Sequence, residues 1–135
     1  MGINYDAISG NKVQTLAGLS SLGRIAIGVT TFIRPETLPR ALGLDRGTAR
    51  RAAPLTRFFA AREAALGVGA LHAVRTGRDV TPWLVAQAIG DAGDAVALAA
   101  ATRARHIRPL RGVAFTLTAV SGVIGATLAI RALRR

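Results

Sequence analysis

The sequence predicts an all-α integral membrane protein folded as a four-helix antiparallel bundle, and three observations carry that reading. Apolar residues fall in four blocks, each close to the ~20 residues a helix needs to cross a bilayer. The last block, Gly112 to Ile130, holds no charged residue, whereas a surface helix of a soluble bundle shows charge on its outer face. The charges inside the other blocks have opposite signs at matching depth: Arg24, the pair Arg62-Glu63, and Asp91 with Asp94.

At 135 residues the chain has room for one domain, residues 1–135. Half the residues are hydrophobic (50%) and mean hydropathy is positive (+0.36), yet net charge is +11. Basic connectors between apolar blocks account for that combination. A nucleic-acid binder gathers its basic residues into one groove and interleaves aromatics. Here there are six aromatics, and the arginines cluster between apolar blocks, so no nucleic-acid partner is expected. The absence of cysteine excludes disulfides and Cys-based zinc or redox sites.

Residues 1 to 12 are mixed and polar, lacking the charged start and short apolar core of a secretory signal, so the next segment is expected to remain in the mature protein. That segment, 13–33, has Arg24 at its centre. Ser20, Ser21, Arg24, Gly28 and Thr31 recur at helical spacing and are expected to face the other helices, with Leu22, Ile25, Val29 and Phe32 nearer lipid. Arg34-Pro35 ends it, because a residue before proline is pushed out of the helical region. A short interfacial helix is expected near 36–44, then a basic connector over 45–53.

The second crossing is read at 54–75, with Pro54 as its first helical residue and Arg75 and Gly77 closing it. Arg62 and Glu63 are central; as helix neighbours ~100° apart, they must look toward different partners or into a wide interior. The link over 76–80 is short enough to imply antiparallel neighbours. The third crossing, 82–102, opens with Thr81 as N-cap, Pro82 at N1 and Trp83 at the interface. Gln87, Asp91 and Asp94 form one polar stripe on it, and Ala86, Gly90, Gly93 and Ala97 offer small residues for close helix approach. The fourth crossing, 112–131, has Ser121, Gly125 and Ala129 as its expected packing edge. Four crossings put ten arginines (six between Arg34 and Arg57, four between Arg103 and Arg111) on one side and six basic residues on the other. The expected orientation therefore has cytoplasmic connectors and external termini.

Five charges near mid-depth would oppose insertion by about 12–17 kcal/mol if unpaired, at roughly 2.5–3.5 kcal/mol each. Arg24, Arg62, Glu63, Asp91 and Asp94 must therefore face inward and neutralise one another, with Gln87 beside them and Arg57 counted as a third cation. Such a network serves as a structural clamp, lines a cavity for a lipid headgroup or quinone, or relays protons. A metal is disfavoured because the guanidinium groups compete for the carboxylates, and His72 lies ~14 Å along its helix from Glu63. No catalytic triad, phosphate-binding loop or nucleotide fingerprint is present, so neither catalysis nor a cofactor is expected. Gly67-Val68-Gly69 reads as a packing notch. The expected role is a non-enzymatic accessory or structural subunit of the plasma membrane. Its partners are the lipid bilayer and a protein partner or second copy; a binder or transporter of a small amphiphile, or a proton relay, is the alternative.

The run Leu22-Gly23-Arg24 with Gly28, Arg34-Pro35, Ala61-Arg62-Glu63 with Leu66-Gly67-Val68-Gly69, Trp83, and Asp91-Ala-Gly-Asp94-Ala resembles a group of small uncharacterised actinobacterial membrane proteins. The resemblance covers residues 19 to about 100. It implies four helices, an Arg-Asp or Arg-Glu pair in the second and Asp-x-x-Asp in the third, and it implies no activity. The architecture is more loosely similar to DoxX-type four-helix membrane proteins.

Overall fold

A computed structural model describes the backbone from Tyr5 to Arg134 and side chains from Lys12 onward. The first four positions of the polar lead-in, and Arg135, lie outside the described residues. Among the described residues there are five helices: α1 (Tyr5–Ile33), α2 (Thr37–Ala41), α3 (Arg46–Arg75), α4 (Thr81–Arg103) and α5 (Pro109–Leu133). No strand occurs among the described residues.

Three of these helices are long and apolar enough to cross a membrane: α1 over Lys12–Ile33, α4 and α5. The 30-residue α3 is not among them, because arginines fill its first turns and Arg57, Arg62 and Glu63 interrupt the rest. The stretch expected as a loop, 45–53, is the start of α3. Asp45 is the reason: its Oδ1 accepts from the Thr48 N–H at 3.0 Å, and its Oδ2 accepts from Thr48 Oγ1. That N-cap satisfies an otherwise orphaned backbone donor and starts the helix two turns earlier. These bonds hold the exposed Asp45 carboxyl below its ordinary range. Pro54 consequently lies inside α3 instead of at its first position.

The other boundaries shift less. The helix expected near 36–44 is one short turn, α2, ended at Gly43, whose φ of +96° a residue with a side chain rarely adopts. At the start of α4 the N-cap is Val80, with no side-chain cap; Thr81 is already helical, and its N–H donates to Asp79 Oδ1 at 2.9 Å. Asp79, hydrogen-bonded to Thr81, therefore sits below the ordinary carboxylate range.

The helices associate as two close pairs, α1 with α3 and α4 with α5, and the pairs meet more loosely. Glycine sets the close approach. A Cβ on Gly28 would lie 2.6 Å from Ala64 N and 2.7 Å from Ala60 O, and one on Gly67 would lie 2.8 Å from Ser21 O. Contacts thus advance along α1 as they retreat along α3, so the two run in opposite directions. In the other pair, Gly112 faces Thr102 and Gly122 faces Asp91, again in opposite senses. At the α3–α4 seam the Trp83 ring covers Gly69, and Gln87 Nε2 donates to Leu66 O at 3.4 Å.

The interior is built from small residues. Ala17, Ala49, Ala60, Ala70 and Ala73 are buried, whereas Leu16, Ile27, Phe58, Ile89, Val96 and Leu128 are more than half exposed. A protein folded in water buries its large apolar side chains. This inverted distribution fits lipid as the solvent, where packing of small residues joins helices. One end is closed by an apolar plug of Ala70, Ala73, Val80 and Leu84, against which Ala129, Ile130 and Leu133 pack.

Several facing expectations change with this packing. Ser21, Gly28 and Thr31 are buried and Arg24 is nearly so, but Ser20 is exposed, and Ile25 turns inward to meet Gly67. Gly93 and Ala97 are exposed. On α5 the inward positions are Gly122 and Ala126, one residue round the helix from the expected Ser121 and Gly125, both of which are exposed.

Candidate functional site

Midway along their lengths, α1, α3 and α4 bring five charged side chains together. Arg24 donates through Nη1 to Glu63 Oε2 at 2.5 Å and through Nη2 to Asp91 Oδ2. Arg62 donates to both oxygens of Asp94, at 3.2 and 2.6 Å, and to Glu63 Oε1 at 3.0 Å. Glu63 is therefore shared by two guanidinium groups, one from the neighbouring helix and one from its own neighbour in sequence. The ~100° between adjacent helix positions still sends Glu63 toward α1 and Arg62 toward α4; only the length of the arginine side chain lets the two meet.

Burial within the network is graded. The side chains of Glu63 and Asp91 are 7% and 9% exposed and Arg24 is 13% exposed, but Asp94 and Arg62 are 27% and 35% exposed. The deep half joins α1, α3 and α4; the shallow half closes the α3–α4 seam. There the Arg62 guanidinium also lies over the Phe59 ring, 5.2 Å from its centroid. Gly90 lies beside Arg62, and a Cβ there would sit 3.5 Å from the guanidinium carbon, an ordinary contact distance.

The sequence-predicted residues Arg24, Arg62, Glu63, Asp91 and Asp94 are thus brought into one cluster. Gln87 is buried one turn away on the same face, bonded to backbone instead of to a charge. Arg57 is not a member. It lies at the surface, donating through Nε to Phe32 O at 3.4 Å, with Phe32 6.0 Å away. Among the described residues the cluster therefore sets two cations against three carboxylates.

Two residues at the site escape the charge pattern. Gly122 of α5 faces Asp91 so closely that a Cβ would overlap the carboxylate. Ser21 is almost wholly buried one turn from Arg24, its Oγ donating to Ala17 O at 2.6 Å. The first shows only in the small-residue pattern of α5; the second lay within the polar face read on α1.

Oxygens of Glu63, Asp91 and Asp94 lie within 4.8 Å of one another, a spacing a metal ion can use. Each of these carboxylates already accepts from a guanidinium, however, so a cation entering would have to displace an arginine. His72 and His106 are exposed and outside the cluster. In comparisons with known proteins, no family model, curated protein or solved structure matches the chain.

Proposed function

We propose that this chain is a multi-pass protein of the plasma membrane in which α1, α3, α4 and α5 form a four-helix antiparallel bundle and α2 lies at the interface. In this reading it is a non-enzymatic accessory subunit of a membrane assembly. Its kinship with the small actinobacterial membrane proteins is part of the same proposal. One observation carries the reading: Arg24 joins Glu63 and Asp91 from two other helices inside a bundle whose outer face is apolar. Such a clamp fixes which helices pair and at what register, and removing one partner strands buried charge. The exposed small residues Gly93, Ala97 and Gly125 support association, since they are left unpacked within the chain and allow close approach of another helix. Purification in a gentle detergent tests the subunit role. A partner recovered at constant ratio is expected, and a clean monomer would count against it.

A second reading, a binder of a small amphiphile or a proton relay, rests on the surplus carboxylate and on the partly open seam at Arg62 and Asp94. Asp91→Asn separates the two. A structural clamp loses yield and stability with this change, whereas a relay or transporter folds normally and loses its function.

A further inference from the structure

At the end of the bundle opposite the apolar plug, two connectors that are far apart in sequence dock on each other. The Arg111 side chain donates through Nη1 to Arg40 O and Ala41 O, both at 3.1 Å, capping the last carbonyls of α2. The Arg108 N–H donates to Leu42 O at 3.3 Å, and the Arg108 stem lies across Gly43. Docking turns the α1–α3 connector and the α4–α5 connector into a single surface. That surface holds ten exposed arginines, between Arg34 and Arg57 and between Arg103 and Arg111, against two carboxylates. One of the two, Asp45, is occupied as the α3 cap; the other, Glu36, is 4.0 Å from Arg50. Like charges at this density repel, so the fold brings them together at a cost that an anionic occupant would relieve.

We infer that this docked arginine surface is a binding site for the headgroups of anionic phospholipids, resting on the membrane-spanning reading above. Its position favours lipid over nucleic acid. The arginines border the apolar helices where α1 and α4 end and α5 begins, and exposed apolar side chains stand among them: Ile33, Leu55, Phe58 and Leu110 are each more than two-thirds exposed. Arginine interleaved with apolar side chains, three of these four aliphatic, suits a phosphate layer lying over acyl chains. A groove for nucleic acid would interleave its basic residues with stacking aromatics.

The test uses the full chain in gentle detergent, with phosphatidylglycerol or phosphatidylcholine added, and native mass spectrometry to count the lipid retained. Preferential retention of phosphatidylglycerol, weakening as salt rises, is expected. The triple change Arg46→Gln/Arg50→Gln/Arg105→Gln should lower its apparent affinity at least tenfold, since each arginine near an anionic surface contributes roughly fivefold. The matched change Arg75→Gln/Arg78→Gln/Arg131→Gln, at the other end, should leave retention unchanged. Equal retention of the two lipids by the wild-type chain would overturn the inference. So would equal loss from both triple variants, or displacement of phosphatidylglycerol by an added oligonucleotide. The wild-type comparison stands even if a variant fails to fold. A chain that stays folded and dissolved without detergent would instead overturn the membrane-spanning reading itself.

Discussion

The carboxylate of Asp91 occupies the space that a side chain at Gly122 would need. Asp91 can reach Arg24 only because α5 presents no Cβ at that level, so a helix that brings no charge to the network still positions it. Gly122→Ala is therefore expected to push Asp91 off its seat and weaken its bond to Arg24. The cost should be about 1–3 kcal/mol, the usual range for overpacking a fitted interior. Gly125→Ala, where a Cβ meets nothing within 4 Å, serves as the control and in the isolated chain should be neutral or stabilising by up to about 1 kcal/mol. Unfolding midpoints in mixed detergent micelles measure both.

Gly28 makes a harsher demand, because what its Cβ would strike is the backbone of α3 at Ala60 and Ala64. Backbone atoms inside a helix cannot swing aside. Gly28→Ala must therefore separate α1 from α3, lengthening the reach to Glu63 of α3 from Arg24, which lies four residues before Gly28 on α1. Greatly reduced yield of folded protein is expected. Gly23→Ala, on the open side of α1, should be neutral or slightly stabilising, because alanine is favoured over glycine in a helix by about 1 kcal/mol. Equal behaviour of the two variants in size-exclusion profiles would contradict the close-packed α1–α3 pair.

The charged half of the site was legible in the sequence because charge inside apolar blocks has few tolerable destinations. Arg24, Glu63, Asp91 and Asp94 had to find one another. Small residues gave weaker instruction. On α5 the stripes 121-125-129 and 122-126-129 fit the same helical spacing, and only the position of Asp91 on another helix selects the second. The boundary of α3 was misplaced for a related reason: Pro54 favours a helix start, but Asp45 followed by Thr48 offers a capped start two turns earlier, and the helix takes the cap. The docking of Arg111 onto Arg40 and Ala41 left no local trace, since it joins residues 70 and 71 positions apart.

The same cap gives a pH dependence at the exposed start of α3. Asp45 titrates below its unfolded value of 3.8 because the charged form accepts from Thr48. A carboxyl with a depressed folded pKa contributes stability that is fully present above the unfolded value and is lost as pH falls through the folded value. The first turn of α3 should thus be unaffected near neutrality and fray only under acid conditions below pH 3.8. The Thr48 amide resonance, followed by NMR in micelles, should move along that acid titration, and Asp45→Ala should abolish the movement.

The graded burial of the network predicts unequal consequences for its two arginines. Arg24→Met leaves Glu63 with one partner and Asp91 with none from the network, both of them buried. Breaking a buried pair in this way costs about 3–5 kcal/mol. Arg62→Met strands mainly Asp94, which is 27% exposed at the seam and can find other polar groups, so its loss should be smaller. Removing the stranded charges should then rescue the first variant: Arg24→Met/Glu63→Gln/Asp91→Asn is expected to recover most of the lost stability, as apolar or neutral replacements of whole buried ion groups do. Detergent unfolding curves for Arg24→Met, for Glu63→Gln/Asp91→Asn and for the triple variant measure the non-additivity directly. If the triple variant unfolds as readily as Arg24→Met alone, charge pairing is not what joins α1, α3 and α4.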